Sequence, residues 1–231
     1  MKTKFILPLV VLAVLTSCRD VKFSLTEKPL AKEYRQLTGF ERITLLGSLD
    51  VKYQQADSFS VRVEAPENVI EDVETTIDGN LLKINMKGDR KIVNFGKSEG
   101  KHVTVYVTSP DFLGVEVKGS GDFDCLSHLD TDNLDITVRG SGDAEFEDVI
   151  CDNLYVSVVG SGDVEIRQTI AQQANLEVVG SGDIDTRFKD SGIVNAYVTG
   201  SGDIKLNGRV RKLNKHIRGS GDITTKGLQV Q

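Results

Sequence analysis

Six aspartates recur in one local setting, and they are the side chains best placed for chemistry. Asp122, Asp143, Asp163, Asp183, Asp203 and Asp222 each close a Gly-Ser-Gly-Asp tetrapeptide, whose copies start at residues 119, 140, 160, 180, 200 and 219. Stacked at strand spacing, their carboxylates would lie about 5 Å apart. Two residues further on come Asp124, Glu145, Glu165 and Asp185, then Lys205, so the pattern predicts an acidic ridge two residues wide. Carboxylates that close must be protonated, hydrogen-bonded or bridged by cations. One reading has each Asp cap backbone N–H groups at its own corner, with the Ser doing the same more weakly. Basic residues one position before the motif, Lys118, Arg139 and Arg218, add compensating charge. The alternative is a calcium ridge, because calcium takes six to eight oxygen ligands and Asp-containing Gly-rich repeats bind it in other solenoids.

Catalytic readings fare worse. Retaining glycosidases hold two carboxyls about 5–5.5 Å apart, but any in-register acidic ladder has that spacing and no pair here is distinguished from its copies. Gly-Ser-Gly-Asp lacks the third glycine of a dinucleotide fingerprint and no helix follows it. The motif Ser has no His or Lys at a repeat-consistent position to activate it. His102, His128 and His216 are scattered, without ligand spacing. The chain reads as a non-enzyme, with glycan processing the distant alternative.

The elements that carry these residues follow from the period. Motif spacings of 21, 20, 20, 20 and 19 residues mark a solenoid in which each unit is one turn. Two positions before each motif stand Val117, Val138, Val158, Val178, Val198 and Ile217. Four before stand Val115, Ile136, Val156, Leu176, Ala196 and Lys215, and six before Leu113, Leu134, Leu154, Ala174, Val194 and Leu213. Four after come Phe123, Ala144, Val164, Ile184, Ile204 and Ile223. All the offsets are even, so these residues share one face of extended chain. The expected fold is all-β, a single-stranded parallel β-helix with turns of about 20 residues, rather than an antiparallel meander. Both motif glycines also fall on even offsets, which predicts that they face inward at a corner too narrow for a Cβ. Lys215 and the irregular 208–215 stretch predict a last turn that is partly opened.

Outward positions before the motif include Tyr155, Val159, Val179, Tyr197 and Thr199 on three successive turns. Exposed aromatic and apolar residues on a flat β face mark a partner or glycan contact, against ordinary surface scatter or coverage by the chain's own first half. From Gly39 to about Asp111 strand signals dominate. Gly47-Ser48-Leu49-Asp50 lies between two apolar runs, and Asp78-Gly79-Asn80 joins 73–77 to 81–86 as a hairpin. A helical turn is expected within 67–73, a charged loop over 90–101, and a strand through Val103, Val105 and Val107.

The first residues address the compartment. Lys2 and Lys4 precede an apolar run of eleven residues, Phe5 to Leu15, too short to span a bilayer but right for a signal-peptide core. Leu15-Thr16-Ser17-Cys18 resembles a bacterial lipobox, with Cys18 as the lipidated residue. The division expected is a signal peptide over 1–17, a tether over 18–38, a β-rich cap or first coils over 39–111, and the repeat solenoid over 112–231. Cleavage after Ser17 removes two Lys and takes the formal charge from −6 to −8, which disfavours nucleic-acid partners. Cys125 and Cys151 fall at different repeat positions and read as buried free thiols.

With its lipobox, its strand-rich first half and its six tetrapeptides, the chain resembles the bacterial DUF2807 family, described as the head GIN domain of putative auto-transporter adhesins. The resemblance covers about Phe40 to Leu228. It implies a parallel β-helix in the cell envelope, here anchored by lipid, with the outer membrane the expected site. The lipobox and the lack of a C-terminal translocator barrel argue against auto-transport. The expected function is a non-enzymatic binding or adhesion module that presents flat β faces to a surface protein or glycan. Envelope assembly through self-association is the alternative.

Overall fold

The computed structural model describes residues 30–88 and 103–231; the signal peptide, Cys18, the first part of the tether, His102 and the 90–101 loop lie outside them. The repeat half forms five long strands: β9 (Phe123–Gly140), β10 (Ala144–Gly160), β11 (Val164–Gly180), β12 (Ile184–Gly200) and β13 (Ile204–Gly219). A shorter strand, β14 (Ile223–Val230), ends the chain. Each pairs in parallel with the next, motif over motif, from Gly140↔Gly160 to Gly200↔Gly219. The fold is the stacked parallel solenoid that the period predicts, and an antiparallel meander is excluded. The Val column from Val117 to Val198 is fully buried, as are Ile136, Val156, Leu176 and Ala196 between the walls. Each buried Val, Ile or Leu of these columns contributes about 1.5–3 kcal/mol on leaving water.

The glycines are required for a different reason from the one the alternation suggests. Gly160 has φ +134°, which disfavours any L side chain, yet it is half-exposed rather than sealed inside. A Cβ on Gly160 would overlap the carbonyl oxygen of Gly140, and one on Gly162 that of Gly142. Gly162 is buried, as the alternation predicts, but the Cβ it lacks would strike Gly142 and Val138 of the preceding turn, so the steric limit runs along the stacking axis. The close approach is used: Ser161 and Gly162 both donate their N–H to the Gly140 carbonyl, at 2.8 and 3.1 Å. The same pair of bonds recurs at every later corner.

Deviations from 20 residues are absorbed at the opposite corner. The 21-residue turn places Leu126 and Ser127 opposite Glu147 alone, where the register shifts between Phe146 and Asp148. The 19-residue turn shifts between Phe188 and Ser191, beside Asp190 at φ +50°. The motif corner keeps its register throughout.

The first half also coils, but out of sequence order. β2 (Arg42–Gly47) and β3 (Asp50–Gln55) form a turn whose Gly47-Ser48-Leu49-Asp50 corner lies under the first motif, with Gly47↔Gly119 and Val51↔Phe123 in register. Ser120 and Gly121 donate to the Gly47 carbonyl as in the later turns. The chain then leaves the coil through β4 (Ser60–Pro66), a 3-10 turn (Ile70–Asp72) and the hairpin of β5 (Val73–Asp78) with β6 (Leu81–Met86). β6 and β7 (Thr104–Ser109) run parallel to β2 and β3 on their far side. β8 (Gly114–Gly119) returns to the near side, between β2 and β9. Phe112 fills the interior at this crossing, its ring 4.1 Å from Tyr53 and 5.8 Å from Phe123.

That N-terminal end is closed by antiparallel strands. β4 pairs with β7, and β1 (Leu30–Arg35) pairs with β4. Part of the segment read as a tether is thus an edge strand. Its alternating mixed-charge sequence suits an exposed sheet edge, and Lys32 pairs with Glu64 at 2.9 Å.

Gly162→Ala should cost about 3 kcal/mol or more, because rigid backbone must move. Ser161→Ala, at an exposed side chain, should cost under about 0.5 kcal/mol. Urea unfolding of the two variants checks this.

Candidate functional site

The aspartate rail forms where the repeat places it, but its hydrogen bonds cross between turns instead of staying within one corner. Asp143 donates its backbone N–H to Asp122 Oδ1 at 3.0 Å, Asp163 to Asp143 at 2.8 Å, and Asp183 to Asp163 at 2.8 Å. Asp203 and Asp222 extend the series at 2.8 Å each, and Asp50 starts it by accepting from Asp122 at 3.3 Å. Each carboxylate from Asp50 to Asp203 therefore caps the turn above its own, while Asp222 accepts from the Thr224 hydroxyl at 3.0 Å. A charge-assisted bond of this type offsets part of the repulsion between neighbouring carboxylates. Among the described residues no three His, Cys, Asp or Glu side chains converge as a metal-ion cluster.

The second acidic column stands in register as Lys52, Asp124, Glu145, Glu165, Asp185 and Lys205, a lysine at each end. Arg167 reaches Glu147 at 3.0 Å, Glu165 at 3.4 Å and Glu145 at 4.0 Å. Burial holds the Asp124 carboxyl above the ordinary carboxylate range, with Lys52 opposing and Asp122 adding to the rise. Burial likewise raises Asp185, against Lys205 and with Glu165 and Asp183. Lys118 and Arg139 pair with Glu116, at 2.9 and 3.3 Å, so the compensation expected from these two residues serves the neighbouring wall and not the rail.

On the wall before the motif, outward side chains form continuous columns. Val159, Val179, Thr199 and Arg218 make one. Ser157, Glu177, Tyr197 and His216 make the next, and Tyr155, Asn175, Asn195 and Asn214 the third. Tyr155 and Tyr197 are 40% and 44% exposed. The described residues of the first half leave both uncovered. Tyr155 donates its hydroxyl to Glu177 at 3.2 Å, and Tyr197 lies 6.4 Å from the His216 ring. Asn195 Nδ2 donates to Asn175 at 2.8 Å, and Asn214 Nδ2 to Asn195 at 2.7 Å. The five residues expected here do share one wall, and the structure adds Glu177, His216 and the asparagine ladder. The same repeat offsets that mark the apolar columns also carry these polar ones.

The remaining reactive groups are separated. His128 pairs with Asp148 at 2.8 Å, far along the repeat from His216. Cys125 and Cys151 are buried free thiols, and burial pushes both up, Cys151 to about 12.

Comparison with known proteins fits this architecture. A family model described as "Putative auto-transporter adhesin, head GIN domain" matches residues 39–230. The solved structure of a putative adhesin from Bacteroides fragilis is 24% identical, with TM-score 0.70, covering 86% of this chain and 97% of that one. A putative lipid binding protein from Parabacteroides distasonis is 20% identical, with TM-score 0.65 and coverages of 85% and 96%. A putative adhesin from Parabacteroides merdae is 18% identical, with TM-score 0.55 and coverages of 85% and 95%. At these identities the likeness carries the fold. No curated protein matches.

Two outcomes follow for the rail. Asp163→Ala should lose about 1–2 kcal/mol, whereas Asp163→Asn, which keeps an oxygen acceptor and sheds a charge, should stay within about 0.5 kcal/mol. Thermal melts of both with EGTA or added calcium should coincide; a calcium-dependent rise in the parent that Asp163→Ala removes would make the rail a cation site. The raised Asp124 and Asp185 contribute stability that is fully present below the unfolded carboxylate pKa of about 3.9 and is lost as pH rises through their folded values. Asp124→Asn with Asp185→Asn should therefore gain on the parent as pH climbs from about 4 to 7, measured by urea midpoints.

Proposed function

The chain belongs to the DUF2807 family, and on that premise we propose that it is a non-enzymatic adhesion module of the cell envelope. Cys18 carries its lipid anchor, in the outer membrane, and residues 18–29 link the anchor to the folded body. The solenoid presents its Tyr155–Tyr197 wall to a glycan or surface protein. The observation that carries the reading is the flat wall, left uncovered by the other described residues, on which two exposed tyrosines stand beside half-buried Val159 and Val179. Rigid β walls hold such side chains at fixed spacing with little entropy to lose on binding, and tyrosine offers both a ring face and a hydroxyl. The description of the family and of several solved neighbours as adhesins supports the same class.

Self-association by end-to-end stacking is the weaker reading. At the N-terminal end β1, β4 and β5 pair antiparallel and close the coil. At the other end the outermost strand carries Arg211, Lys212, Lys215 and Arg218, charges that discourage edge-to-edge pairing.

The test is retention of the full chain on arrays of glycans and envelope proteins. Tyr155→Ala with Tyr197→Ala should reduce retention at least about tenfold, while the unfolding free energy stays within about 1 kcal/mol because both rings are exposed. Retention unchanged in that variant would remove the wall from the binding site. Concentration-dependent polymers in sedimentation, with no retained ligand, would favour self-association instead.

A further inference from the structure

The C-terminal end of the solenoid has the opposite charge to the rest. Residues 204–231 carry seven Lys or Arg and one acidic residue, a formal +6. Within a chain of −6 the remaining residues therefore hold −12. Three of these basic residues, Lys212, Lys215 and Arg218, lie on the second half of β13. That segment pairs with β12 from Ile193↔Lys212 to Gly200↔Gly219, while β14 covers only the first half, to Val210. No described strand pairs with its outer edge, and residues 214–220 are all exposed.

Strand alternation sorts the segment into two rows. Leu213, Lys215 and Ile217 follow the inward columns of Val194, Ala196 and Val198. Lys212, Asn214, His216 and Arg218 follow the outward columns of Ile193, Asn195, Tyr197 and Thr199. The outward row is about 20 Å long, six residues at about 3.3 Å each. Arg209 is matched to Asp190 at 2.7 Å. Arg211, Lys212, Lys215 and Arg218 form no ion pair with a described residue.

Guarding an open edge accounts for charge on this strand, lysine above all, but not for a formal +6 gathered at one end of a chain whose preceding turns are dressed mainly with carboxylates. We propose that this row binds an acidic polysaccharide, a uronate-bearing chain laid along β13. Lys212 and Arg218 meet its carboxylates, and a sugar ring rests on Tyr197. The inference rests on the adhesion reading above and names the ligand class for the distal end of the same wall. Opposite charge selects the carboxylates. Tyr197 and the Asn175–Asn195–Asn214 ladder supply the ring contact and the hydroxyl-bonding amides that a sugar needs. Duplex nucleic acid, with a charge about every 1.7 Å, would overrun the strip onto the acidic turns. A lipid surface gains from inserted apolar side chains, and here the strip offers little beyond Ile217, 41% exposed.

The experiment is calorimetric titration of the full chain with polygalacturonate, alongside neutral dextran, phosphatidylglycerol vesicles and duplex DNA. Polygalacturonate should bind, weaken about tenfold or more between about 50 and 250 mM salt, and lose at least about tenfold in Lys212→Glu with Arg218→Glu. Lys189→Glu with Lys226→Glu makes the same charge change off the strip and should shift affinity less than about threefold. Melting curves confirm that both variants are folded. Equal binding by the strip variant, or tighter strip-dependent binding of vesicles or DNA, overturns the inference. If polygalacturonate fails while other glycans are held through Tyr155 and Tyr197, this inference falls and the adhesion reading stands. If nothing on the arrays is held, both fall.

Discussion

The contact on which the molecule depends is the one between the first glycine of one corner and the corner above it. The Gly140 carbonyl accepts two N–H groups from the next turn, and it leaves no room for a Cβ on Gly160. Backbone alone thus sets the distance and register between turns at this corner. Every side-chain column inherits that register. Stacked valines stay dry because the corner holds them in line, and stacked aspartates reach the next backbone N–H because it lies at a fixed offset. A slip of one residue would exchange the buried and exposed faces of a whole turn.

The consequence is a division of labour between the two corners. The motif corner tolerates no variation in backbone length. The opposite corner takes in the additional residue at Leu126–Ser127 and gives one up beside Asp190. Leu126 is 57% exposed there, which is what an insertion without its own core produces. Changes in turn length therefore concentrate along one edge and leave the register of the flat walls undisturbed. Long uninterrupted columns such as Tyr155–Asn175–Asn195–Asn214 are the product.

Much of this was legible in the sequence, because a repeat shows its spatial neighbours at a constant offset. Val138 and Val158 declare themselves as contacts by standing two residues before successive motifs. The alternation correctly assigned the walls, and the 78–80 turn correctly marked the β5–β6 hairpin. Three features escaped for physical reasons. The glycine alternation pointed across the interior, whereas the clash lies along the axis, a direction that periodicity within one strand does not sample. The aspartate bonds advance by one turn, so a carboxylate and its N–H partner are 19 to 21 residues apart for most of the rail. The β6–β7 turn sits beneath β2–β3 although it follows them in the chain, and without a tetrapeptide copy no offset reveals such a reversal. The strand over 30–35 is hidden in the sequence for a related reason: an edge strand needs few apolar residues.

Charge is the remaining variable, and it is graded along the axis rather than around it. A solenoid cannot bury its charges, so each added turn adds its outward residues to the surface field. Four successive carboxylates in the Asp124–Asp185 column raise the cost of adding a fifth. The column ends in lysine at both extremities, Lys52 below and Lys205 above. Each lysine has one carboxylate of the column on one side and a neutral residue on the other, Tyr106 beside Lys52 and Thr224 beside Lys205. The same reasoning extends to β13, the last strand to span both walls: facing a stack of acidic turns, a basic strand gains attraction from within the molecule while leaving its outer edge cationic. Intramolecular electrostatics and an anion-seeking tip are therefore compatible demands on the same residues. A variant that neutralises the acidic column alters the field at the tip without touching it, which separates long-range attraction from local contact in any binding measured there.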